Sequence, residues 1–122
     1  MSKILLVEDE KRFIKYLQQY LERLGNTVTI AETGEDAINL FSEQNSEIVI
    51  LDLGLPDIDG EVVLEKIRKV NSDVPIVVLT GNTDPGIKER VIRLGATEYF
   101  QKPCRLTDLA NWIAAVEKGG TA

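Results

Sequence analysis

Four places in the sequence put groups capable of metal or phosphoryl chemistry at the ends of short apolar runs. Glu8-Asp9-Glu10 follows Lys3-Ile4-Leu5-Leu6-Val7, and Asp52 follows Ile48-Val49-Ile50-Leu51. Thr80 closes Val74-Pro75-Ile76-Val77-Val78-Leu79, and Lys102 follows Glu98-Tyr99-Phe100-Gln101. If these runs are parallel strands of one sheet, their carboxyl ends share an edge, and ligands of open α/β sheets bind there. Carboxylates crowded within ~4–6 Å of one another repel, so either some take protons or a cation joins them. With only oxygen ligands on offer the matching cation is Mg²⁺, which takes one or two carboxylates and keeps several waters. Lysine supplies a point charge for an anion and threonine a hydroxyl donor. Metal, ammonium and a carboxylate able to act as nucleophile together outline a phosphoryl-transfer site.

The elements that must position these groups are legible from periodicity. The first three of these runs are continuously apolar and rich in branched residues, as strands buried on both faces are, and Glu98-Tyr99-Phe100-Gln101 is weaker. Thr27-Val28-Thr29-Ile30-Ala31 alternates and reads as an edge strand; Pro75 sits at the start of its strand, where a missing N–H is tolerated. Between the runs the period turns helical. Phe13, Leu17, Leu21 and Leu24 make one stripe, stopped by Gly25; Ala37, Leu40 and Phe41 make a second behind Thr33 as cap. Val63, Ile67 and Val70 make a third behind Asp59-Gly60. Ile87, Val91 and Leu94 make a fourth, opened by Asp84 as cap and Pro85 in the first turn. Leu106, Leu109, Ile113 and Val116 make the fifth. Five β-α alternations with short connections predict an α/β domain, a five-stranded parallel sheet with helices on both faces.

Composition narrows the chemistry further. The 122 residues suit one domain, and 43% hydrophobic with 28% charged residues is globular composition. A net charge of −6 does not attract phosphate backbones, so direct nucleic-acid binding is not expected. The absence of histidine excludes a Ser-His-Asp triad, a histidine general base and most zinc sites. The one cysteine, Cys104, excludes an internal disulfide and reads as a structural or surface thiol. The first apolar run is too short for a signal peptide, and nothing approaches the ~18 apolar residues of a membrane span. The chain is therefore expected to be soluble and cytoplasmic, without membrane contact.

Four marks, in order and each at a strand end, carry a family resemblance. They are Ile4-Leu5-Leu6-Val7-Glu8-Asp9, Leu51-Asp52-Leu53-Gly54-Leu55-Pro56-Asp57-Ile58-Asp59-Gly60, Leu79-Thr80-Gly81 and Tyr99-Phe100-Gln101-Lys102-Pro103. From Lys3 to about Lys118 the chain resembles the receiver domain of bacterial two-component response regulators. Residues 1–118 would be that domain, and 119–122 a flexible tail or the start of a linker. The resemblance implies a flavodoxin-like, doubly wound sheet of strand order 2-1-3-4-5. It implies Asp52 as phospho-acceptor and a Mg²⁺ cofactor held by Asp9, Asp52 and the Gly54 carbonyl, with Glu8 acting through water. Glu8 stands where many members have aspartate. Thr80 would bind the phosphoryl group, Lys102 would pair with one of its oxygens, and Pro103 would follow a cis peptide bond. Tyr99 would move inward as Thr80 closes on the phosphate. The implied partners are a histidine kinase or phosphotransfer protein and a downstream output domain or protein. The implied cycle is self-catalysed phosphorylation and dephosphorylation, without turnover of small substrates.

Taken singly, most of these residues have plainer roles. Acids at 8–10 serve as solvated loop residues, Asp57 as a turn residue, Asp59 as a helix cap, Thr80 as a strand-end threonine and Lys102 as a surface lysine. Joint placement at one edge is what favours a site. Flavin carriers share the architecture but need a hydroxyl- and glycine-rich phosphate loop where this chain has three acids. Haloacid-dehalogenase-like phosphatases need a second aspartate two residues past the nucleophile, where Gly54 stands. A docking or dimerisation module that is never phosphorylated is the remaining alternative, and the intact set of five polar residues argues against it. An output face is expected on the fourth helix, fifth strand and fifth helix. At 100° per residue Ile92 lies roughly 135° from its helix's inward stripe and Trp112 about 80° from its own. With Tyr99 between them, they would form a partner patch or a phosphorylation-dependent homodimer contact.

Overall fold

The structure, a computed structural model, describes residues 1–119. Five strands alternate with five helices: β1 (Lys3–Val7), α1 (Lys11–Arg23), β2 (Thr27–Ala31), α2 (Gly34–Gln44), β3 (Ile48–Leu51), α3 (Gly60–Val70), β4 (Ile76–Thr80), α4 (Ile87–Leu94), β5 (Glu98–Gln101) and α5 (Leu106–Glu117). The strands are all parallel, in the order β2-β1-β3-β4-β5. β1, β3 and β4 are buried along almost their whole length, while β2 and β5 at the edges are half-buried. That contrast follows from sequence, because only a strand covered on both faces can be apolar at every position.

Two cores flank the sheet. Leu5, Val49, Leu51 and Val78 face α2, α3 and α4 on one side. Ile4, Leu6, Ile50 and Leu79 face α1 and α5 on the other. Local signals placed the helices well, with four corrections. α4 begins at Ile87 behind Gly86, which is left-handed (φ 84°), rather than behind Asp84. The Asn82 Oδ1 accepts from the Asp84 N–H at 2.9 Å, and the Asp84 carbonyl accepts from Ile87 N at 3.2 Å, closing a turn through Pro85 and Gly86. Leu24 and Val70, assigned to inward stripes, are 49% and 63% exposed. Leu24 is the cap beyond α1 and Val70 the last residue of α3, where the inward face has already turned away; Ile14 and Leu64 fill the core instead. Pro75 immediately precedes β4, and its carbonyl still accepts from Val49 N at 2.9 Å.

The loop after β3 is pinned where the chain approaches itself most closely. A Cβ on Gly60 would collide with the Leu53 backbone and lie 2.9 Å from the Asp52 carbonyl oxygen. Only glycine lets α3 start against the end of β3. Beyond α5, Lys118 is the cap and Gly119 takes φ 82°. The rest of the expected tail, 120–122, lies outside the described residues.

Candidate functional site

The register of β1, β3 and β4 brings the strand-end groups into one open cleft of about 710 Å³. β1 delivers Glu8 and Asp9, β3 delivers Asp52, and β4 delivers Thr80 as its final residue. Lys102 arrives from beyond β5, its N–H donating to the Thr80 carbonyl at 2.8 Å. One carboxylate oxygen from each of Glu8, Asp9 and Asp52 lies within 4.8 Å of the others. Three acids this close, with oxygen the only ligand type, fit a hard divalent cation such as Mg²⁺. Gly54 offers its N–H to Asp52 Oδ1 at 3.3 Å, and there is open space where a side chain would stand.

Glu8 departs most from a solvated loop acid. It is 1% exposed. Its Oε2 accepts from the N–H groups of Asp9 (3.2 Å) and Glu10 (3.1 Å), and its Oε1 accepts from Lys102 Nζ at 2.6 Å. Burial pushes its carboxyl above the usual 4.5; the Lys102 hydrogen bond opposes that, and the nearby Asp52 charge adds to it. The ammonium also lies 3.4 Å from Asp52 Oδ2. Burial alone would lower the Lys102 value, but the bond to Glu8 and the fields of Asp52 and Glu8 outweigh it and raise it above 10.5. The Phe13 ring, 4.2 Å from Nζ, closes the other side of the ammonium. A cis bond joins Lys102 to Pro103, as the resemblance implied.

Thr80 is 2% exposed, and its Oγ1 accepts from Asn82 N at 3.2 Å. Its own proton has no acceptor among the described residues, so the hydroxyl can donate into the cleft. Tyr99 is half-buried against the α3–α4 core, its hydroxyl 3.4 Å from the Asn82 carbonyl. That contact ties β5 to the loop leaving Thr80.

Several side chains fall outside the roles spacing suggested. Trp112 is 3% exposed and belongs to the core with Leu109 and Ile113, so it is not part of a surface patch. The indole is long enough to reach the core from a boundary position, leaving its Nε1 buried without a partner among the described residues. Ile92, at 42% exposure, does lie outward. Asp57 is more than a turn residue: its two oxygens accept from Gly34 N (2.8 Å) and Glu35 N (3.0 Å), capping α2 from a distance. Those bonds lower its pKa. Asp59 caps α3 through Glu61 N, as expected, while Glu10, read as a solvated loop acid, caps α1 through Arg12 N and Phe13 N. Sequence reasoning also missed Arg90, whose Nε and Nη2 meet Glu61 Oε1 and Oε2 at 2.6 and 3.0 Å on the cleft wall. An acid before a helix could have flagged Glu10; no local spacing links Asp57 to Gly34 or Arg90 to Glu61.

Residues 4–114 match the family model of the response regulator receiver domain. The chain belongs to that family. The receiver domain is 40% identical over 115 residues to a Guillardia theta protein named "Probable transcriptional regulator ycf27", an alignment covering 94% of this chain and 45% of that protein. It spans about half the length of the curated relatives it matches. Among solved structures it resembles the non-phosphorylated HemR receiver domain of Leptospira biflexa, at 34% identity and TM-score 0.87, covering 95% of this chain and 94% of that one. A two-component response regulator from Clostridium difficile aligns at 27% identity and TM-score 0.92, with 97% of each chain covered. The strand order and layers are those of CheY-like receiver structures. No helix among the described residues is long and apolar enough to cross a membrane.

Proposed function

We propose that this receiver domain is a phosphorylation-activated switch in two-component signalling. A histidine kinase or phosphotransfer protein presents a phosphohistidine to Asp52. The observation that carries this is the placing of Asp52 3.4 Å from the Lys102 ammonium, in one cleft with Glu8, Asp9 and Thr80. The absence of histidine in the chain agrees, since the donor imidazole must then come from elsewhere.

An Asp52 carboxylate oxygen attacks phosphorus in line with the departing nitrogen. Lys102, shared in the resting site between Glu8 and Asp52, turns its protons to the transferring oxygens, and Thr80 donates its hydroxyl to one of them. Asp9, Asp52 and the Gly54 carbonyl would hold Mg²⁺, with Glu8 acting through water, and the ion would supply positive charge to offset the phosphoryl oxygens. Glu8, held by Lys102 and two backbone N–H groups, orients the ammonium and takes part in the metal site through water. Water later hydrolyses the acyl phosphate, which resets the switch; the domain catalyses both steps on itself and turns over no small substrate. Closure of Thr80 on the phosphoryl group pulls the loop that holds Tyr99, altering the α4-β5-α5 face around Ile92. That face signals to an output domain or protein, or pairs two copies. The domain acts in the cytoplasm and does not itself touch nucleic acid or membrane.

The test is phosphoryl uptake from an acyl phosphate or phosphoramidate with Mg²⁺, read by intact-mass spectrometry. Wild type takes up one phosphoryl group and Asp52→Asn none, because the amide is neither a comparable nucleophile nor an anionic ligand. Uptake by Asp52→Asn at the wild-type rate would overturn the assignment.

A further inference from the structure

The cleft is lined by seven carboxylates and two cations, Lys102 and Arg90. Lys102 lies at the nucleophile. Arg90 stands on α4, on the wall, and Glu61 from the start of α3 grips it by one edge only, through Nε and Nη2. A guanidinium has five N–H donors in a planar fork, so three remain, two on Nη1 and one on Nη2. One on each Nη forms the second edge of the fork, and none of the three has an acceptor among the described residues. A carboxylate that braces an arginine through one edge fixes the direction in which the other is presented. Apart from the ammonium that serves the transfer itself, Arg90 is thus the one cation lining this acidic cleft, among the described residues, and it keeps a binding edge unengaged.

We infer that Arg90, positioned by Glu61, is a donor-selecting residue: its free edge receives the anionic leaving group of acyl phosphates. This rests on Asp52 being the acceptor. With an acyl phosphate, an Asp52 oxygen forms the new bond to phosphorus as the bond from phosphorus to the acyl oxygen breaks. The bonding pair leaves with the carboxylate, and no proton is needed. The carboxylate departs outward from the nucleophile, its charge growing through the transition state, where a second cation stabilises it. Phosphoramidate makes the contrast. Its nitrogen is already protonated and leaves as neutral ammonia when the phosphorus–nitrogen bond breaks, so no anion forms for Arg90 to receive.

The experiment compares wild type and Arg90→Gln with acetyl phosphate and with phosphoramidate, at fixed Mg²⁺ and ionic strength, measuring initial rates of Asp52 phosphorylation. The ratio of acetyl phosphate rate to phosphoramidate rate should fall about fivefold in Arg90→Gln, a modest factor because the guanidinium is partly exposed and screened. Arg90→Lys, which keeps the charge but not the fork, should restore part of the ratio. An unchanged ratio overturns the inference, whether both rates hold or both fall together; a common fall would mark a structural or general electrostatic role. If wild type takes up phosphate from neither donor, the phospho-acceptor reading itself fails, and that outcome is distinct because it needs no variant.

Discussion

The two ends of the sheet use the same kinds of polar residue to opposite ends. At the amino end the groups named are spent on backbone or on one another. Asn26 Oδ1 accepts from Ser2 N at 2.9 Å while its Nδ2 donates to the Leu21 carbonyl, and Glu47 accepts from Lys3 N. Glu117 takes the chain's amino terminus and the Ser2 hydroxyl. At the carboxyl end Glu8, Asp52 and Lys102 are turned on one another, and Thr80 keeps a proton to give. Burial is comparable, with Asn26 8% and Thr80 2% exposed. What differs is whether a buried group's capacity is already used. A site capable of chemistry retains buried charge and unspent donors, held in place by neighbours whose hydrogen bonds are already made.

The largest effect that could break this contrast is on Lys102. Lys102→Met leaves Glu8 buried without its cation and should cost ~3 kcal/mol at pH 7 as well as slowing phosphorylation. Lys11→Met, which removes a surface lysine 2.9 Å from Glu32, should cost far less. The Lys102 deficit should also depend on pH. The folded value of Glu8 already lies above 4.5, so its contribution to stability is greatest below that pH and is lost as pH rises through the folded value. Without Lys102 the shift grows, and urea titrations should show the deficit widening from about pH 4.5 upward. Equal costs for the two lysines would mean the cleft's charges are no more strained than surface pairs.

A smaller change sharpens the comparison from the other end. Asn26→Ala strips the Ser2 N–H of its acceptor and should cost about 1–3 kcal/mol of stability. Its Mg²⁺-dependent phosphorylation rate should stay within about twofold of wild type. A larger rate change would show that the amino end is coupled to the chemistry.

Asp57 is the smallest case and lies between the two kinds. It faces solvent at the carboxyl end, yet it is spent on backbone. Its folded value is depressed below 3.8, so its contribution is present above that pH and is lost as pH falls through the folded value. Asp57→Asn should be slightly less stable than wild type at neutral pH, and the gap should close on acidification below 3.8. A gap independent of pH would mean that the cap acts through shape rather than charge.

Much of this was legible along the chain. The continuous apolar runs of β1, β3 and β4, the alternation of β2 and the spacing of Leu17 and Leu21 or Val63 and Ile67 each report a local environment, and local environment is what periodicity encodes. The acids, threonine and lysine were visible because each directly follows or closes a strand, and parallel pairing then puts them at one edge. The resemblance added the strand order and the individual roles, which periodicity does not carry.

Tertiary structure decided how those groups face one another. Lys102 meets Glu8 across 94 residues, Asp57 reaches Gly34 across 23, and Arg90 grips Glu61 across 29. No spacing rule spans such separations, because they depend on register and on the approach that Gly60 permits. Trp112 shows the same limit in a single side chain: its helical angle placed it at a boundary, and its length carried it into the core. The sequence determined which groups reach the edge of the sheet, since that follows from strand ends. Their partners, burial and proton affinities were decided by packing, since each is a property of the space between elements.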